Sequence, residues 1–203
     1  MKSQDYRAFQ SESQRVPYTF LYPADWQVRE TVEKERVKVF IAGPRDQGDT
    51  VSVGFTVRIW PAAAQTPETV MNDLLSRFSQ MPGFQEIGRG SGLVAGKPAV
   101  EVEFVYHMLL PLNSRAPHEK TIRQRCVFVR ADHALIELIY AAPDEMYDTW
   151  LSDFHTLIQT FAFPEKREDR SFHPLVSATD TAPAASLRED TAGYEVKGQE
   201  DDQ

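Results

Sequence analysis

Five histidines, one cysteine and a set of acids and bases at strand spacing are the residues of this 203-residue sequence that could do chemistry. Glu101, Glu103 and His107 fall on one face of an apolar run by period two, and His133 shares a face with Glu137 on another. If those strands neighbour one another as a meander, the carboxylates and imidazoles could converge on a hard or borderline metal ion. Arg123 and Arg125, on the run between them, support a competing reading. They offer cross-strand ion pairs to Glu101 and Glu103, which makes a charged sheet face. That reading is the stronger, and no metal ligand is assigned. His118 is close in sequence to His107, whereas His155 and His173 stand apart. Cys126 lies between Arg125 and Val127 in an apolar strand pattern, where a thiol packs as a small hydrophobe. Gly88, Gly90 and Gly92 are compatible with a phosphate cradle, but they lack a strand–loop–helix context and a lysine in register. A bulged or twisted edge strand is expected there. No G-x-S-x-G, Walker loop, H-E-x-x-H or C-x-x-C occurs. The sequence calls for no catalytic residue and no cofactor, so the expectation is a protein that is not an enzyme.

Binding remains. Leu109, Leu110 and Leu112 are apolar and sit beside a proline-bearing segment, 110–120, read as an exposed loop between two long strands. Apolar loop residues that stay exposed mark interfaces, so the 109–121 loop is a candidate hot spot. Glu101, Glu103, Arg123 and Arg125 complete the candidate binding set. Tyr18, Phe20, Tyr22, Trp26, Trp60, Tyr106, Tyr140, Tyr147 and Trp150 are expected mostly in the core; an exposed cluster of them would be a partner site.

Charge narrows the partner. The net charge is −8, which disfavours nucleic acid, because phosphate binding needs a basic face. Residues 164–203 hold five cations against ten carboxylates, so −5 of that charge falls there. The single cysteine rules out an intramolecular disulfide. No run is long and apolar enough for a transmembrane helix, so no membrane span is expected. The N-terminal residues lack the apolar core of a signal peptide, which gives the cytoplasm as the first expectation. A periplasmic or lumenal site after removal of a leader is the alternative.

The elements that must position these residues follow from periodicity. Residues 1–15 read as a polar arm, 16–163 as one folded domain, and 164–203 as an acidic, disordered tail. Strands are expected at 16–20, 26–30, 37–42, 51–60, 84–94, 99–110, 121–130 and 134–141. Thr66 with Pro67 and Glu68 predicts a helix start, and the stripe Val70, Met71, Leu74, Leu75 and Phe78 predicts the face it buries. A second helix over 143–160 has a wider stripe, including Tyr147, Trp150, Phe154, Leu157 and Phe161. Short links between strands mean antiparallel pairing, and two amphipathic helices must bury their stripes on the sheet. The class is α+β.

Several short segments resemble the PsbP-like superfamily, which also holds the Ran-binding Mog proteins, the DcrB lipoproteins and the Eag chaperones of type VI secretion effectors. Tyr18–Trp26 (YTFLYPADW) looks like its opening F-x-Y-P-x-x-W. Gly96-Lys97-Pro98-Ala99 is similar to its G-x-x-A hairpin, and Thr160-Phe161-Ala162-Phe163 to its closing S/T-F-x-F. Ile122-Arg123-Gln124-Arg125 before an apolar strand is similar to the leaderless Eag group. The resemblance implies an αβα sandwich with a central antiparallel sheet of about six or more strands and two main helices. It implies a non-enzymatic module, an adaptor or chaperone, that binds another protein such as a secretion effector or an assembly subunit. For an Eag-like protein the client is an amphipathic or transmembrane helix laid against the sheet. The alternative it implies is an accessory protein of a photosynthetic or electron-transfer assembly with divalent-metal binding.

Overall fold

The segment Ala134–Pro143 (ALIELIYAAP) has one charged residue and no polar face, so it must be covered on both sides. In the computed structural model it is the middle strand of a seven-stranded antiparallel sheet. The structure describes residues 5–11, 16–33, 36–48, 50–61, 65–110, 117–131 and 134–163. The elements are β1 (Tyr6–Gln10), β2 (Thr19–Pro23), β3 (Gln27–Glu33), β4 (Arg36–Arg45), β5 (Ser52–Pro61), α1 (Pro67–Phe78), β6 (Gln85–Val94), β7 (Lys97–Leu110), β8 (His118–Ala131), β9 (Ala134–Pro143) and α2 (Asp144–Thr160). The large sheet runs β3-β4-β5-β9-β8-β7-β6, and β1 pairs with β2 in a second, two-stranded sheet. Two meanders, β3–β5 and β6–β9, are thus joined by one long-range pairing of β5 with β9, from Gly54↔Ala141 to Pro61↔Ala134.

Each face of the sheet has its own core. On one, Val39, Ile41, Phe55, Val57, Ile136, Leu138 and Tyr140 pack against Tyr147, Phe154 and Leu157 of α2. On the other, Val102, Phe104, Cys126, Phe128 and Ile139 pack under Met71, Leu74 and Leu75 of α1. Helices on both faces make the αβα sandwich of the α+β class. Thr66 caps α1 as its sequence requires, accepting from the Thr69 N–H at 3.2 Å, with Pro67 in the first turn.

Three expectations change. The polar arm holds strand β1, because Phe9 pairs with Phe20 and stacks on it at 4.9 Å, and the Tyr6 hydroxyl donates to the buried Asp153 of α2 at 2.6 Å. The strand expected at 16–20 is instead Thr19–Pro23. Both ends of the 110–120 segment are strand: β7 runs through Leu110 and β8 starts at His118, directly opposite it, while 111–116 lie outside the described residues. Leu112 and the 164–203 tail lie outside the described residues.

A buried carboxylate fixes the β4–β5 turn. Asp46 accepts from the N–H groups of Thr50 at 2.7 Å and Val51 at 3.1 Å, from the Thr50 hydroxyl at 2.8 Å, and from the Lys120 ammonium of β8 at 2.9 Å. Burial alone would raise its pKa; Lys120, Val51 and Thr50 outweigh that and hold it well below the usual carboxylate range. A depressed folded pKa stabilises above the ordinary carboxylate value and is lost as pH falls toward the folded one. Asp46→Ala is expected to cost about 2–3 kcal/mol in urea unfolding at neutral pH, because it leaves buried donors without an acceptor. The gap to wild type should narrow as pH falls below about 4; a gap independent of pH would contradict the assignment.

Candidate functional site

Period two sets Glu101, Glu103, Arg123 and Arg125 on the α2 side of β7 and β8. Glu103 stands directly opposite Arg125, and Val105 opposite Arg123, so the tight pairs form on the diagonals. Arg125 Nη2 donates to both Glu101 carboxylate oxygens, at 2.7 and 2.8 Å, and lies across from Glu103. Arg123 Nε donates to Glu103 at 2.6 Å, and its guanidinium sits 4.4 Å over the Tyr147 ring of α2. His155 lies 3.3 Å from Arg125. Burial and the adjacent Arg125 charge lower its pKa, so the imidazole stays neutral at physiological pH. The four charges of this ladder satisfy one another.

The suggested convergence on a metal does not occur. Glu137 belongs to the opposite face, beside Ile139 and Arg58, so the sheet itself separates it from Glu101 and Glu103. His107 lies against Gly83, with Glu119 3.4 Å away. His133 lies outside the described residues, among which no group of three or more His, Cys, Asp or Glu could hold an ion. The leucines also divide: Leu109 is 57% exposed, while Leu110 packs on the α1 core.

The α1 face carries a site that periodicity did not single out. α1 lies over β7 and β8, and a cleft of about 900 Å³ opens along its other flank over β3, β4, β5 and β9. Strand register builds its floor. Thr31, Lys38, Arg58 and Glu137 stand in one row across four strands. Arg58 Nη1 bonds Glu137 at 3.1 Å. Glu137 is 3% exposed, and burial raises its pKa against the pull of Arg58. Arg36, Lys38, Arg58 and Arg77 face only Asp73 and Glu137 among the described lining residues, so the cleft is net positive on an acidic protein. It continues along α1 into a cavity of about 540 Å³ that shares Arg58 and Arg77 and is bounded further by Leu74, Phe78, Met81, Tyr106, Gln124 and Ile139. The result is a cationic groove with one buried acid, in which Arg58 and Arg77 stand beside the apolar side chains of Leu74, Phe78 and Met81. Cys126 is fully buried beneath this face and burial pushes its thiol pKa up, so it presents no thiolate to the groove.

No family model and no curated protein matches the chain. Solved structures do. LpqN of Mycobacterium tuberculosis, involved in cell envelope biogenesis, superposes with a TM-score of 0.51 at 15% identity, covering 77% of this chain and 90% of its own. The Saccharomyces cerevisiae Ran-binding protein Mog1p superposes with a TM-score of 0.50 at 8% identity, covering 79% and 96%. The chain shares the fold of these two proteins. Cyanobacterial PsbP from Synechocystis gives a TM-score of 0.48 at 14% identity over 80% of this chain and 96% of its own. At these identities the likeness is one of fold. Among the described residues, no helix is long and apolar enough to cross a membrane.

Glu137 supplies a test of the groove floor. Its folded pKa is raised, so the native state binds this proton more tightly than the unfolded chain does. Stability contributed at this site therefore falls as pH rises from about 4.3 toward the folded value. Glu137→Gln is expected to flatten the urea-unfolding stability profile over that window. Profiles that stay parallel would show that the carboxyl is not buried as described.

Proposed function

We propose that the protein is a non-enzymatic binding module that holds another protein in the groove beside α1. The observation carrying this reading is the net positive cleft, continuous with a second cavity in which apolar side chains flank the same arginines, on a sheet face that α1 covers only in part. Its chemistry suits an acidic segment that also presents apolar side chains. Carboxylates would meet Arg36, Lys38 and Arg77, and apolar groups would pass toward Phe78 and Met81. A polyanion such as nucleic acid fits less well, since it would be repelled by the overall −8 charge. The fold supports the reading through Mog1p, a Ran-binding protein. An adaptor or chaperone role is the finer form of the proposal, with an effector or assembly subunit as the client.

Affinity capture from the native lysate tests it, with wild type and Lys38→Glu/Arg77→Glu in parallel. One stoichiometric partner is expected on wild type, with recovery reduced about tenfold or more on the double variant, a difference of about 1.4 kcal/mol. Both proteins should unfold at the same temperature, as both substitutions are at the groove surface. Equal recovery by both proteins would contradict the groove as the docking surface.

A further inference from the structure

The outermost strand of the sheet carries a second, independent feature. Among the described residues β6 is paired on one side, by β7, and all of its residues but Val94 are exposed. The β6–β7 turn is Ala95-Gly96, with φ of 50° and 74°; positive φ at both central residues is the type I′ geometry. In such a two-residue hairpin the closing pair, Val94 and Lys97, exchanges hydrogen bonds, and bonded and non-bonded pairs then alternate. Leu93/Pro98, Ser91/Val100 and Arg89/Val102 are therefore the non-bonded pairs, and Pro98, which has no N–H, sits where none is needed. The N–H and C=O groups of Arg89, Ser91 and Leu93 consequently point away from the sheet. The register is unbroken from Gly88 to Val94; the one irregularity lies before it, between Glu86 and Gly88. Soluble proteins usually blunt such an edge with lysine, proline or an inward charge. This stretch has a single charge, Arg89, which is held by Glu86 at 2.6 Å and Asn72 at 3.2 Å.

From Gly88 to Gly92 the α2 side of the same strand carries no side chain of its own, and only the Glu101 side chain leans over it, at Gly90. Gly88, Gly90 and Gly92 occupy it, and a Cβ at Gly88 or Gly92 would meet nothing within 4 Å. Two cavities of about 190 Å³ each lie over it. One is bounded by Val94, Ala99, Val127 and Ile158, the other by Glu101, Glu103 and Arg125.

We propose that the β6 edge accepts an extended segment of a partner polypeptide as an eighth strand of the sheet. Its backbone pairs with Arg89, Ser91 and Leu93. On its α2 side it lays an apolar side chain across Gly92 and a polar one across Gly88–Gly90, toward the ion-pair ladder. This is strand addition, in which backbone bonds give affinity and alternate side chains give specificity. A second copy of this chain fits poorly. A two-fold pair of edges is antiparallel, and the register centred on Ser91 sets Gly90 against Gly92, leaving no side chain for either cavity.

Peptides selected from a random linear phage-display library against the full chain test the proposal, their affinities read by fluorescence anisotropy. Ser91→Pro removes an outward N–H while leaving the β6–β7 ladder intact. Gly92→Val fills the apolar cavity from a Cβ that has open space. Both variants are expected to unfold at the wild-type temperature and to bind the selected peptides about tenfold more weakly or worse. Arg77→Glu, in the separate groove, should bind them as wild type does. Peptide addition should slow hydrogen exchange at the Arg89, Ser91 and Leu93 amides. Failure to recover peptides, or undiminished binding to folded Gly92→Val, would overturn the proposal. So would prior protection of those three amides in the free chain, or a dimer in sedimentation that Ser91→Pro dissociates.

Discussion

The pairing of β5 with β9 is the constraint on which the rest of the structure depends. Without it the chain is two meanders, each with exposed apolar faces. With it, β9 becomes the centre of one sheet and is buried on both sides. The sequence meets that demand by filling β9 with Leu, Ile, Tyr and Ala, and by admitting a single charge, Glu137. Arg58 answers that charge from the neighbouring strand at 3.1 Å. A buried carboxylate with no partner would cost several kcal/mol; the long-range pairing that builds the sheet also supplies the counter-charge.

Helix placement then decides which surfaces are open. α2 spreads Tyr147, Phe154 and Leu157 over the middle of one face, and the aromatic side chains of β1 and β2 extend that cover through Phe20 and Phe161, stacked at 6.2 Å. α1 is shorter and covers β7 and β8, so the other face keeps an open flank. The two faces also handle charge differently. On the α2 side the Arg123–Glu103 and Arg125–Glu101 pairs neutralise each other. On the α1 side the cations outnumber the carboxylates, and that surplus is what a partner can use.

Much of the fold was legible because it is local. The strand spacing, the Thr66 cap and the α1 stripe each depend on a few consecutive residues. The ion-pair ladder was legible too, since period two fixes its face and Arg123 and Arg125 follow the same rule one strand over. Strand β1 was not. Tyr6-Arg7-Ala8-Phe9-Gln10 is too polar to announce itself, and what holds it is distant: Phe20 across the pair and Asp153 on α2. The groove escaped for the same reason. Arg36, Arg58, Arg77 and Glu137 sit on four different elements, and only the β5–β9 crossover puts Arg58 beside Glu137. Periodicity put Arg58, Arg77 and Glu137 within expected strands or a helix and left Arg36 just outside one, but could not say which faces meet.

The central claim is that a protein partner binds where α1 leaves the sheet face open. The most direct measurement is an NMR titration of the isotopically labelled full chain with its captured partner. The account predicts saturable amide shifts at Lys38, Arg58, Trp60 and Arg77, with the α2 residues Phe154 and Leu157 unmoved. Shifts confined to α2 and the β1–β2 sheet, with the groove silent, would contradict it.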